Sequence, residues 1–393
     1  MLCGPSPRHT TAFAALYAAQ FGFLGIQLPF FARWLDDQGF AASQIGVLGG
    51  VALGLRLLLA PPLAYRAERA PDPRGPLRRV TLILFGLASS LLLSLPREGI
   101  AVAVISLLLL FGLVVPLADA TVLRADRAGL LDYGRTRSAG SAGFVAANLA
   151  GGAVIGWLGD GSIVWLMATV GGLMVCATFC LPPAPPTEPG PAPSLDEAVR
   201  LLRSKSFVLM VLSAGLCQGS HAVYYTFTAL HWQALGYSGL LIGMLWTAGI
   251  LIEIAVLMSG KALLRRIDPA LMIAIGCAVA IVRWPLTGMD PPLAFLFVLQ
   301  LGHAATFTAA FLGSIEFVGV AVPERYRATA MTVVSTLGVG ALTGIATVWA
   351  GSVFIAEDPR LAYAGMGMMG VAGLVLALLL RARWDGGPLG AVR

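Results

Sequence analysis

Apolar runs of membrane-crossing length, joined by short polar links, restrict this chain to very few folds. Twelve such runs lie near residues 11–32, 44–64, 80–96, 101–122, 138–158, 162–182, 207–232, 239–260, 269–288, 293–318, 328–350 and 361–382. An α-helix needs about 20 apolar residues to cross the hydrocarbon layer. In lipid each backbone polar group must be satisfied within the spanning segment, which leaves a helix bundle. Charged residues make up 12% of the chain, where a soluble domain has about 25%. The expectation is an all-α integral membrane protein with twelve transmembrane helices. The tail before the first run has one arginine and no Ala-x-Ala-like cleavage site, so that run reads as a retained helix rather than a signal peptide.

The basic residues set an orientation. Of the 26 Lys and Arg, 21 fall in alternate loops or the termini, the positive-inside pattern with both termini cytoplasmic. The net charge of +6 thus reports topology and implies no nucleic acid. Six runs, a linker and six runs suggest a duplicated architecture of two pseudo-symmetric six-helix bundles. These are residues 1–182 and 207–393, with 183–206 as a cytoplasmic linker. The linker opens on Pro182-Pro183-Ala184-Pro185-Pro186, a semi-rigid spacer. A short amphipathic helix follows at the membrane surface, with Ser194 and Glu197 spaced as a capping box. Glycines four apart recur at Gly46/Gly50/Gly54, Gly152/Gly156, Gly239/Gly243 and Gly340/Gly344, either a close-packed seam or the chance pairing expected among 47 glycines. The five cysteines read as small buried hydrophobes, with no disulfide, metal or cofactor implied. The expected oligomeric state is a monomer.

Against this background the polar residues inside the runs need a reason. An ionisable group at the bilayer centre costs about 3 kcal/mol on insertion scales. Glu253, Arg283, His303 and Glu316 lie on three successive runs, and Arg56 and Asp119 lie in the first half. Glu253, Arg283 and His303 suit a carboxylate that moves between a salt-bridged and a desolvated state, coupling a proton to conformation. A static charge network is the alternative. Asp119 is a proton or substrate site, or a partner for Arg124 or Arg137, and Arg56 needs a carboxylate such as Glu253 or Asp119. Glu316 is placed to pair with Arg325 or Arg327. Tyr17, Gln20 and Gln27 share one helical face, as do Gln218, His221 and Tyr225. Both stripes read as substrate-binding lining of a cavity, or as interhelical hydrogen bonding. No Gly-x-Ser-x-Gly, His-Glu-x-x-His, Walker-type loop or zinc-binding cysteine pair is present, which argues against an enzyme or a nucleotide-driven pump.

Several motifs then carry a resemblance across most of the chain. They include Arg56-Leu57-Leu58-Leu59-Ala60-Pro61-Pro62, Pro116-Leu117-Ala118-Asp119-Ala120 and Asp132-Tyr133-Gly134-Arg135-Thr136-Arg137. In the second half they include Ile252-Glu253-Ile254, Val282-Arg283-Trp284, Leu299-Gln300-Leu301-Gly302-His303 and Val322-Pro323-Glu324-Arg325-Tyr326-Arg327. With these the chain resembles the major facilitator superfamily, within it the phenylpropionate permease and nucleoside–proton symporter-like branch, itself similar to the lactose–proton symporters. The resemblance implies two six-helix bundles and alternating access. It implies proton-coupling roles for Arg283 and His303, with Glu253 as the nearest carboxylate, and adds Gln300 to the substrate-binding candidates. Three residues after His303, where the lactose symporters have a carboxylate, this chain has Thr306. The superfamily loop Gly-x-x-x-Asp-Arg-x-Gly-x-Arg-Arg is matched in altered form by Glu68, Arg69, Arg78 and Arg79. With Arg135, Arg137, Glu324 and Arg325 these form the implied conformational latch. The expected function is proton-coupled symport of a small organic solute, an aromatic acid or nucleoside-like compound, in a bacterial inner membrane. A proton-antiporting exporter, a uniporter and a transport-dead scaffold or sensor are the alternatives.

Overall fold

Asp72, Asp132 and Asp268 each sit just before a helix and accept a backbone N–H of its first turn, from Arg74, Arg135 and Leu271 at 3.0, 2.6 and 2.8 Å. Such caps satisfy N–H groups that a helix start leaves open. The computed structural model describes residues 7–68, 70, 72, 74–183, 194–259 and 267–389. Among these residues there are helices and no strand. In the first half lie α1 Pro7–Asp37, α2 Ala42–Glu68, α3 Arg74–Ser90, α4 Arg97–Arg127, α5 Tyr133–Leu158 and α6 Ser162–Phe179. A short linker helix, Leu195–Leu202, precedes α7, which runs as Lys205–Gly219, Ala222–Thr226 and Thr228–Ala234. Then come α8 Gly239–Ser259 and α9 Pro269–Thr287. Helix α10 comprises Leu293–Leu301, a π-helical Ala304–Ala309 and Ala310–Ala321. Helix α11 runs from Glu324–Tyr326 through Arg327–Val333, a π-helical Val334–Gly340 and Ala341–Val353, and α12 is Arg360–Arg383. Eleven of the twelve have the length and composition to cross a bilayer, and α3, with 17 residues, is the twelfth.

Two expectations are corrected here. The third helix lies earlier than residues 80–96. Asp72 starts it at Arg74, and it stops at Ser90, whose hydroxyl bonds the Leu87 carbonyl at 2.7 Å. Hydropathy alone could not see this, because Leu91 to Leu95 continue the apolar run. The capping box at Ser194 does not form either: its side chain makes no cap bond, and the Glu197 carboxylate accepts from Thr329 instead.

The chain packs as two compact units. One holds residues 1–41, 58–190 and 235–247, with α1 against α5 and α6 and α3 against α4 and α6. The other holds residues 42–57, 191–234 and 248–393, with α9 and α7 against α12. Its core includes Phe207, Met210, Ile273, Cys277 and Phe317. Outward-facing side chains are large and apolar: Leu58, Val102 and Trp157 are 72, 65 and 84% exposed. A water-soluble surface of this kind would aggregate, whereas lipid is a matching solvent.

Within each unit, glycine lets two helices touch backbone to backbone. A Cβ on Gly152 of α5 would collide with the Gly239 carbonyl of α8. A Cβ on Gly46 of α2 would lie 2.7 Å from the Thr347 carbonyl of α11. Gly54 has open space instead, so the expected seam is realised at only some of its glycines. Gly46→Ala is therefore expected to lower stability by about 1–3 kcal/mol through overpacking. Gly54→Ala should be close to neutral, and matched losses in detergent melting curves of the two variants would contradict this packing.

Candidate functional site

The break in α7 and the wide turn in α10 bring the polar residues of the second unit together. Helix α7 halts at Gly219, where the Ser220 hydroxyl bonds the Cys217 carbonyl at 2.6 Å and accepts from the Trp284 indole at 2.8 Å. The next residue, His221, turns inward and places Nδ1 3.1 Å from the Gln218 carbonyl. Opposite it, the π-helical turn of α10 presents two backbone carbonyls. Those of Thr306 and Phe307 accept from the Cys217 thiol at 3.3 Å and the Gln218 amide at 3.1 Å. Single wide turns of this kind are frequent at functional sites.

Thr306 is the centre of this network. Arg283 donates through Nη1 to the Thr306 hydroxyl at 2.8 Å and through Nη2 to Gln300 Oε1 at 3.2 Å. His221 Nε2 lies 3.1 Å from the same hydroxyl, and the Gly302 carbonyl lies 3.2 Å from it. Arg283 is only 2% exposed and its guanidinium lies over the Trp284 and Tyr224 rings, 4.3 and 5.2 Å from their centroids. No carboxylate forms an ion pair with it among the described residues. His303 Nε2 is 3.6 Å from Glu253 Oε2, and its ring stacks on Phe307 and meets His221 edge-on. Tyr225 stacks on the His221 ring, with ring centroids 5.2 Å apart. Glu253, Arg283, His303, Gln218, His221, Tyr225 and Gln300 thus converge on one polar cluster.

The hydroxyl of Thr306 has one proton and two possible acceptors. With His221 neutral and Nδ1–H donating to Gln218, the hydroxyl can donate to Nε2 while accepting from Arg283. With Nε2 protonated, the hydroxyl must accept from it and turn its own proton to the Gly302 carbonyl. The cluster can hold or release a proton without breaking its hydrogen-bonded chain.

The first unit has a second cluster. Tyr17 donates to Asp119 at 2.5 Å, and Arg137 lies over Phe21 and Tyr17, with its guanidinium carbon 3.9 and 5.4 Å from the ring centroids. Asp119 therefore pairs with a phenol 102 residues away rather than with Arg124 or Arg137. Gln20, one turn along α1, is fully buried and neither its Oε1 nor its Nε2 has a partner. Gln27 is half-buried further along the same helix and takes no part in the cluster. Arg56, which belongs to the other unit, does not pair with Glu253 there and has no ionic partner among the described residues.

The latch candidates do not pair with one another among the described residues. Arg69 and the Glu68 side chain lie outside the described residues. Arg78 donates to the Thr178 and Phe179 carbonyls at the end of α6, at 3.1 and 3.4 Å, and Arg79 borders an apolar groove between α2, α3 and α4. Arg135 uses its backbone N–H on Asp132, and Glu324 opens α11 beside Arg325, whose guanidinium covers the Tyr326 ring at 4.6 Å. Arg327, a possible partner of Glu316, donates to the Val322 and Gly319 carbonyls. Sequence reasoning missed Thr306 as a hub, although its place three residues after His303 pointed to the spot. It also missed the Arg33–Asp160 ion pair of 2.6 Å, whose signal was an arginine just past the end of the first apolar run.

Residues 10–364 match the MFS_1 like family. A probable 3-phenylpropionic acid transporter of Escherichia coli is 29% identical over 374 residues, covering 93% of this chain and 95% of that protein. The maltose permease of Geobacillus stearothermophilus is 24% identical over 382 residues, 95% of each chain. The solved structure of the nucleoside transporter NupG aligns with a TM-score of 0.77 at 16% identity, covering 96% of this chain and 99% of that one. A D-xylose–proton symporter aligns at 0.69 and 14% identity, with 97 and 98% covered. These two likenesses concern the fold alone. The family match runs from the first helix into the last, and the chain therefore belongs to the MFS_1 like family: it is a multi-pass transporter of the major facilitator type, and not an enzyme.

Proposed function

We propose that this transporter is a proton-coupled symporter of a small aromatic carboxylate. It would work as a monomer by alternating access, with bundles 1–182 and 207–393, both termini cytoplasmic, in a bacterial inner membrane. The observation that carries the reading is the second unit's charge arrangement. Glu253 stands 3.6 Å from His303, while among the described residues the buried Arg283 is held only by neutral partners. A buried cation without a carboxylate is costly, and a Glu253 that gains or loses a proton changes that cost. Protonation and conformation are thereby linked. The chain Arg283–Thr306–His221 supplies a place for the proton to go. Asp119, hydrogen-bonded to Tyr17, is a second carboxylate available for proton exchange.

Aromatic rings and unpaired donors support the substrate class. Among the described residues Arg137 rests on two rings with no carboxylate of its own, and Gln20 offers an unused amide. An anion with an aromatic body would meet charge, ring and hydrogen-bond demands together. The E. coli relative's name points to the same chemistry. The test is uptake of labelled 3-phenylpropionate into proteoliposomes under an imposed pH gradient, competed by nucleosides and maltose. Accumulation blocked by an uncoupler supports the proposal. Saturable flux that ignores the gradient would leave a uniporter, and preferential competition by nucleosides would move the substrate to that class.

Thr306 gives a sharper check on the relay. Thr306→Val removes the hydroxyl between Arg283 and His221 and should abolish accumulation, whereas Thr306→Ser restores the hydroxyl and should keep it. Equal activity of the two variants would remove Thr306 from the pathway.

A further inference from the structure

The linker helix Leu195–Leu202 has three distinct faces, and one has no partner among the described residues. At 100° per residue, Glu197, Ala198 and Leu201 fall on one side. Leu201 is fully buried, Ala198 packs on the core of the second unit, and Glu197 accepts from the Thr329 hydroxyl at 2.5 Å. The Ser194 backbone N–H donates to that same hydroxyl at 3.2 Å. Thr329 is itself buried at the start of α11, so the rotation of the linker helix is fixed. This turns Leu195, Val199 and Leu202, spaced i, i+4, i+7, outward, at 81, 43 and 39% exposure.

Beside that apolar face is a basic one. Arg200 and Arg203 project from it and Lys205 follows at the start of α7, all three exposed and without an ionic partner among the described residues. Asp196 lies among them in the helix's first turn, where a carboxylate favours the helix dipole. A face of three large apolar side chains flanked by three cations is the pattern of a helix lying in a lipid–water interface. The cations choose between lipid classes: each contributes favourably near an anionic headgroup and nothing specific near a zwitterionic one.

We propose that residues 195–205 form a docking surface for anionic phospholipid, with Leu195, Val199 and Leu202 seated at the acyl boundary and Arg200, Arg203 and Lys205 on the headgroups. This does not depend on the substrate or on proton coupling. The full-length protein is extracted from a mixed phosphatidylcholine–phosphatidylglycerol bilayer, and the lipids it retains are counted by native mass spectrometry. The wild type should retain phosphatidylglycerol with a preference of roughly 100-fold, the combined gain of three cations near a charged surface. The variant Arg200→Gln/Arg203→Gln/Lys205→Gln should lose most of that preference. An unchanged preference in the triple variant would overturn the proposal.

Depth gives an independent reading that does not need the triple variant to fold. A nitroxide is placed on Val199→Cys in a chain with Cys3, Cys176 and Cys180 replaced by serine. In phosphatidylglycerol-containing vesicles it should collide more with oxygen than with a water-soluble nickel chelate. Faster collision with the chelate in those vesicles would place the face in water and reject the docking surface.

Discussion

Glu253→Gln is expected to collapse solute accumulation while leaving exchange intact. A carboxylate anion entering with one proton carries no net charge, so the pH gradient drives it. One pH unit is worth about 1.4 kcal/mol, enough for a roughly 10-fold concentration ratio. In the variant that ratio should fall to about one, because glutamine keeps the shape beside His303 but cannot take up or release a proton. Counterflow of unlabelled for labelled solute should survive, since it needs binding and conformational exchange without net proton movement. A variant that still accumulates solute against its gradient would show that Glu253 is part of a static network.

The second large effect concerns stability and lies in the other unit. Arg33 is 7% exposed and bonds Asp160 through Nη2 at 2.6 Å, while its Nε and Nη1 have no hydrogen-bond partner among the described residues. Asp160→Asn leaves that cation buried with no opposite charge from its partner, a change that costs about 3–5 kcal/mol in buried pairs. The purified variant should unfold at a clearly lower temperature, and Arg33→Leu/Asp160→Leu should recover much of the loss. A change of less than about 1 kcal/mol would instead describe a solvated pair.

The twelve helices were legible in the sequence because lipid imposes a length and polarity rule on every span. The caps at Asp132 and Asp268 were not picked out beforehand, although they are local and fixed by side chains next to the helix they start. Where two solutions were both apolar, the pattern was blind, as in the end of α3 at Ser90. Local readings also failed when a tertiary partner won. Glu197 forgoes its capping bond for Thr329, far along the chain. The charged residues of the second unit announced themselves individually, but their arrangement did not. Thr306 draws Arg283 and His221 together only because α7 breaks at Gly219 and α10 widens after His303, and neither event leaves a periodic mark. The Tyr17–Asp119 bond was hidden for the same reason: 102 residues separate two groups whose meeting depends on packing.

A proton that moves with the solute through the Glu253–His303–Arg283 cluster must leave the external medium as the solute does. The most direct measurement is the external pH of a weakly buffered suspension of proteoliposomes, recorded when an aromatic carboxylate is added without a membrane potential. Symport predicts transient alkalinisation outside, proportional to solute taken up, and absent in Glu253→Gln. Labelled solute entering at the wild-type rate with no pH change would contradict the account and make the cluster structural.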